Sequence, residues 1–131
     1  MKDYLHTTTL KVRDYECDLQ GIVNNANYQH YIEHARHEFL LSYGVSFADL
    51  HNRGIDAVVA RISMAYKQPL RPGDEFIVAT NIRKDGLKYV FLQDIYRASD
   101  EKLCFTSEVT TVTLINGRLS DCPELNETFG L

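Results

Sequence analysis

The stretch Asp18-Leu19-Gln20-Gly21-Ile22-Val23-Asn24-Asn25-Ala26-Asn27-Tyr28 sets a carboxylate, a glycine and three asparagines directly before a run with helical periodicity. A carboxylate can attack an electrophilic carbon or activate water. The first N–H groups of a helix have no partner within it, and together with the helix dipole they stabilise negative charge. Side by side, the two would suit attack on a carbonyl whose oxygen becomes negative. Local propensity alone supports less: asparagines cap helices and form loops, and Asp18 would simply close a turn.

Other chemistry-bearing residues are weaker candidates. His30 and His34 stand four apart, the spacing of two metal ligands, but no third ligand accompanies them, and solvated or half-buried histidines are expected. Cys17 abuts Asp18 without an identifiable partner histidine, so a small buried side chain is the reading for it. Glu33 and Arg36, one turn apart, are expected to form a helical ion pair. Tyr28, Tyr31 and Phe39 have the spacing of a core stripe and are candidates for lining a substrate cavity. The chain carries no G-x-S-x-G elbow, H-E-x-x-H, G-x-G-x-x-G or phosphate-binding P-loop.

The elements that must position Asp18 follow from the patterning. Tyr4 to Arg13 is rich in Thr, Val, Leu and Tyr and reads as a strand. From Tyr28 the apolar positions Tyr28, Ile32, Ala35 and Phe39 recur at helical spacing, in a helix that begins near Asn25 to Tyr28 and ends at Tyr43, with Gly44 as its stop. Ser46 to Asp49 has capping-box spacing for a short second helix. After Gly54 the period becomes two, placing Val58, Ala60, Ile62, Met64 and Tyr66 on one face and Ala57, Val59, Arg61, Ser63 and Ala65 on the other. Three further strands span Glu75 to Arg83, Lys88 to Ala98 and Leu103 to Ile115, with turns at Asp85-Gly86, Ser99-Asp100 and Asn116-Gly117. The tail from Cys122 has no clear period and is expected to be loosely held. The fold class is therefore α+β, an antiparallel sheet packed against one principal helix. One helix covers one face, so self-association as a dimer or tetramer is expected.

The composition narrows the function. A chain of 131 residues, 44% hydrophobic, makes one domain over 1–131. A formal net charge of -4 argues against nucleic acid as a partner. No apolar run is long enough to span a bilayer and the N-terminus lacks a signal-peptide core, so no membrane partner and a cytoplasmic location are expected. Cys17, Cys104 and Cys122 are an odd set without CxxC spacing and are expected to be reduced thiols with no metal site.

Asp18-x-x-Gly21-x-Val23, then Asn27-Tyr28 at the helix start and Glu33-x-x-Arg36 within it, resembles the 4-hydroxybenzoyl-CoA thioesterase family of hotdog-fold proteins. Tyr66-x-x-Pro69 followed by Gly73-Asp74 looks like that family's strand-turn-strand, so the similarity covers nearly the whole chain. The resemblance implies a hotdog fold and an acyl-CoA thioesterase, with Asp18 as nucleophile or general base and the backbone N–H of Asn25 polarising the carbonyl. It implies a site between subunits and substrate contacts from Gly21, Val23, Asn27 and Tyr28. No resident cofactor is implied, coenzyme A entering only as part of the small-molecule acyl-CoA. A thioester's leaving thiolate has an ordinary pKa of roughly 8.5, so no strong general acid is required.

Coenzyme A carries three phosphates, and Arg83, Lys84 and Lys88 around the Asp85-Gly86 turn are the candidates to bind them, with Lys67 and Arg71 a second cluster. Two departures stand out. Glu16 occupies a position where family members often carry Asp. Ile22 and Gln20 stand where the related acyl-carrier-protein thioesterases carry His and Asn, which favours the Asp-based mechanism. Alternatives are hydrolysis of acyl groups from carrier protein and a non-catalytic acyl-CoA-binding module, with a dehydratase a weaker possibility.

Overall fold

The computed structural model describes residues 3–131. In chain order it contains β1 (His6–Lys11), a 3-10 turn (Asp14–Glu16), α1 (Asn25–Ser42), α2 (Phe47–Asn52), β2 (Ile55–Tyr66), β3 (Glu75–Asp85), β4 (Lys88–Arg97), β5 (Leu103–Ile115), β6 (Arg118–Leu119) and α3 (Pro123–Phe129). The strands form one antiparallel sheet in the order β1-β3-β4-β5-β2, with β6 pairing with the end of β5. This is the expected α+β hotdog architecture, a sheet around one long helix.

The helix begins at Asn25 because the Asn24 side chain accepts a bond from the Ala26 N–H at 3.0 Å, a helix cap in the usual sense. It ends where Gly44 takes φ +75, which side chains resist. Tyr28, Tyr31, Ile32, Ala35, Phe39 and Leu40 form its buried apolar stripe. They meet Phe76 and Val78 of β3, Phe91 and Ile95 of β4, and Phe105 and Val109 of β5, all buried in one core. Polar residues cross the sheet beneath the helix in one row, since register aligns Thr80 with Gln93 and Gln93 with Ser107.

Three expectations need correction. The unbroken alternation along β2 is interrupted by a bulge between Val59 and Arg61. Ala57 and Val59 therefore share the helix-facing side with Ile62, Met64 and Tyr66, because the extra residue shifts the pleat by one. The tail is not loosely held: it forms α3, started by Pro123 and ended by Gly130 at φ +67, with Cys122 and Leu125 buried. Its Phe129 ring lies 5.3 Å from Phe39 and 5.0 Å from Tyr43, so it closes over the far end of α1. Glu33 and Arg36 do not pair. Arg36 turns inward and donates to Gln93 Oε1 at 3.0 Å, because its position belongs to the buried stripe. None of the described helices is long and apolar enough to cross a membrane.

Candidate active site at the start of the long helix

The loop before α1 is a small hairpin. Cys17 bridges Val23, the Asp18 N–H donates to the Ile22 carbonyl at 3.0 Å, and the Gly21 N–H donates back to the Asp18 carbonyl at 3.0 Å. Gly21 takes φ +74, which only glycine adopts without strain, and so lets the chain reverse within four residues. Asp18 is exposed, and its Oδ1 accepts the Gln20 N–H at 2.9 Å. That contact orients the carboxylate and leaves Oδ2 without a partner among the described residues.

Glu16 braces this loop from within. It is buried, and its carboxylate accepts the Arg13 N–H at 2.8 Å, the Tyr31 hydroxyl at 2.9 Å and Arg13 Nη1 at 3.3 Å. Its backbone carbonyl accepts the Asn24 N–H at 2.9 Å and Asn27 Nδ2 at 2.8 Å. One residue thus ties the loop to the helix cap and to the first turns of the helix. Burial and the bond to Glu16 hold the Tyr31 phenol protonated well above its ordinary range.

The N–H accounting at the helix start singles out one donor. The Ala26 N–H is taken by the Asn24 side chain and the Asn27 N–H by the Asn24 carbonyl, while the Asn25 N–H has no partner among the described residues. Asn25 is exposed, and its carbonyl accepts the Tyr66 hydroxyl at 3.3 Å, which anchors the helix start to the end of β2. An open amide at the positive end of an 18-residue helix, with a carboxylate on the loop that leads into it, can hold a developing oxyanion beside a base or nucleophile.

A scan against family descriptions matches the thioesterase-like superfamily over residues 12–127. The chain belongs to that superfamily. Among relatives, it is 44% identical over 77 residues to "Acyl-acyl carrier protein thioesterase ATL3, chloroplastic" of Arabidopsis thaliana, 59% of this chain and 40% of that protein. It is 36% identical over 112 residues to ATL2 of the same plant, 85% of this chain and 60% of that protein. The chain thus spans 40% and 60% of the length of these two relatives. A crystal structure of a protein from Aquifex aeolicus (AQ1494) superposes with a TM-score of 0.88 at 28% identity, over 95% of this chain and 98% of that one.

Within this superfamily member the remaining sequence-derived residues lie as follows. Val23 is buried, its N–H donating to the Leu70 carbonyl at 2.9 Å, and Tyr28 is buried with its ring stacked 5.0 Å from Phe105. Burial pushes the Tyr28 phenol up to about 12. Asn27 spends its side-chain amide on the Glu16 carbonyl, so Val23, Asn27 and Tyr28 build the loop's footing, while Gly21 sits exposed at its tip.

The basic turn is divided by the pleat. Lys84 lies on the helix-facing side with its Nζ 2.5 Å from Asp121, while Arg83, 3.8 Å from Glu108, and exposed Lys88 lie on the other side. Cys17 is half-buried, and its thiol is held above its ordinary value by burial first and then by Asp14, Glu16 and Asp18, so it stays protonated and a poor nucleophile. His30 and His34 are both exposed, and among the described residues no three His, Cys, Asp or Glu side chains are grouped to hold a metal.

Two residues have site contacts that the sequence did not disclose. The Tyr66 hydroxyl reaches the helix start only because β2 folds back along α1. Glu16 was noticeable as a departure from the family pattern, but its bracing role depends on Tyr31, fifteen residues on, turning its hydroxyl toward the loop.

Proposed function

We propose that this chain hydrolyses acyl thioesters, with Asp18 as nucleophile or general base and the Asn25 N–H receiving the carbonyl oxygen. The observation that carries the reading is the open Asn25 amide at the start of α1, with Asp18 on the loop that Glu16 ties to that start. Attack on the thioester carbon moves charge onto the oxygen, where a preformed amide and the helix dipole need no reorganisation to meet it. The carbon–sulfur bond then breaks, and the thiolate leaves without a strong acid. Conversion of Asp18 to Asn keeps the shape and the Gln20 contact but removes the charge. It is expected to lower kcat by about 10² or more, measured as thiol release from a panel of acyl thioesters. Near-normal turnover by Asp18→Asn and by Asp18→Ala would defeat the mechanism.

The donor in this reading is acyl-CoA, its phosphates met by Arg83 and Lys88 on the open face of the hairpin. A second reading, carrier protein as donor, is favoured by the names of ATL3 and ATL2 and by the engagement of Lys84 with Asp121. The two are separated by kcat/KM for one acyl group on each donor.

The active form in this reading is a dimer, paired through β2. That strand is 12 residues long, pairs among the described residues with β5 alone, and exposes Val58, Val59 and Tyr66, a combination that invites pairing with a second copy. Antiparallel self-pairing about its centre brings Ile55 to Val59 of one copy beside Ile62 to Tyr66 of the other. Since Tyr66 bonds the Asn25 carbonyl, the start of each β2 would then adjoin the other copy's catalytic loop.

A further inference from the structure

A cavity of about 540 Å³ lies between the second half of α1, α2, the first half of β2 and the helix-facing side of the sheet. Its walls are mostly apolar, with Leu50 and Phe91 among them, yet Arg36 projects into it. Arg36 is 5% exposed, and its one side-chain bond among the described residues runs from Nη1 to the neutral amide oxygen of Gln93. Gln93 is itself fixed, its Nε2 donating to the Ile32 carbonyl at 2.9 Å and to Thr80 Oγ1 at 3.2 Å. Among the described residues no carboxylate bonds the guanidinium, and the nearby charge of Glu33 only partly offsets the cost of its burial. Glu33 lines the cavity but is an exposed residue without a bond to Arg36, and Asp56 at the rim is 2.6 Å from His51.

The free donors of Arg36 can be located by elimination. Among the described residues no fully buried side-chain nitrogen or oxygen lacks a partner. Nε and Nη2 of Arg36, which have no partner among the described residues, therefore keep some accessible surface, and Arg36 is one of the residues that line the cavity. A buried arginine whose role is structural would spend its fork on a carboxylate. This one keeps most of its fork for an occupant, and burial disfavours its charge in the meantime.

We propose that this cavity receives the acyl group and that Arg36 selects acyl groups carrying an oxygen function far from the thioester, a carboxylate above all and a hydroxyl next. The proposal rests on the thioesterase reading, because within one copy the cavity begins two turns into α1, beyond the buried Tyr28, whereas β2 self-pairing adjoins it to the other copy's Asp18 loop. A plain alkyl chain filling the cavity would expel water and leave charged N–H groups unpaired in apolar surroundings, the situation in which sites discriminate most strongly.

The test compares octanoyl-CoA, its ω-hydroxy derivative and the suberyl thioester of the same length. Wild-type kcat/KM should be at least about 10-fold higher for the suberyl thioester than for octanoyl-CoA, with the hydroxy derivative between them. In Arg36→Met that ratio should collapse toward one, and Arg36→Lys should keep part of it. Equal or better use of octanoyl-CoA by the wild type overturns the proposal without any variant, as does a preference that survives in a folded Arg36→Met protein. If none of the thioesters is turned over, the thioesterase reading fails separately. Calorimetry of suberic against octanoic acid with the wild-type protein still decides the role of Arg36, and equal or no binding of the two acids sinks it.

Discussion

The two ends of α1 are built on opposite principles. At its start, polar atoms of neighbouring residues satisfy one another: Glu16, Asn24 and Asn27 consume nearly every donor and acceptor, and what remains open is one amide and one carboxylate oxygen. At its far end the helix borders apolar walls supplied by α2, β2, β4 and α3, around a space into which a single cation opens. The first arrangement fixes a geometry and the second a volume. Chemistry needs positions held to a fraction of an ångström, whereas recognition of an acyl group needs room and one or two directional contacts. Under the proposed function, placing the two on one helix would separate turnover from selectivity.

Breaking the brace tests the first half of that division and should give the largest effect. Glu16→Ala strands the buried Tyr31 hydroxyl and the Arg13 N–H, at a cost of about 2 to 3 kcal/mol in urea unfolding. Because Glu16 acts through the loop, the drop in activity should fall on kcat with KM little changed, and Glu16→Gln, which keeps an acceptor, should recover part of both. An Ala variant with full kcat would show that the loop holds its shape without the brace.

The far end is tested by the tail. Leu125 is 6% exposed and lines the cavity, so Leu125→Ala should destabilise by about 2 kcal/mol and enlarge the acyl space. The expected signature is a shift of preference toward bulkier acyl groups at unaltered kcat for a short one. A fall in kcat for every substrate alike would mean that the two ends are mechanically coupled.

The same contrast explains what the sequence disclosed. The loop before α1 is made mostly of contacts between near neighbours in the chain, so Asp18, Gly21 and Asn25 could be read in a line of text, along with the start of α1. The far end is made of contacts across the chain. The bulge beside Ala60 leaves no trace in the alternation, because a small residue in an apolar run fits either face. The tail helix is only about two turns long, too short to display a period, and its order comes from burial of Leu125 and packing of Phe129 on α1. Glu33 and Arg36 have the spacing of an ion pair. Only the placement of Gln93 beneath the helix shows that Arg36 faces inward, and a lone glutamine between Phe91 and Ile95 was the sole hint of it.

The smallest expected effect is a pH dependence confined to the far end. His37 lines the cavity with its ring 4.8 Å from that of Phe47, and its pKa is lowered, chiefly by desolvation. Arg36 and His34 lower it further, Glu33 and Glu38 oppose them, and His51 and Asp56 also line the cavity. A histidine whose folded-state pKa lies below its unfolded value favours the neutral form in the fold, so the unfolded chain binds the proton first as pH falls. Its contribution to stability is therefore full above the ordinary value of 6.5 and is lost as pH drops through that value toward the folded one. Lowering the pH from about 7.5 to about 5.5 should reduce the urea midpoint of the wild type by more than that of His37→Gln, since only the wild type carries this proton linkage. Selectivity should follow: with His37 charged beside Arg36, the preference for an acyl carboxylate should rise at the lower pH in the wild type and stay flat in His37→Gln. Parallel changes in the two proteins would place the pH response elsewhere and leave the far end of α1 electrostatically silent.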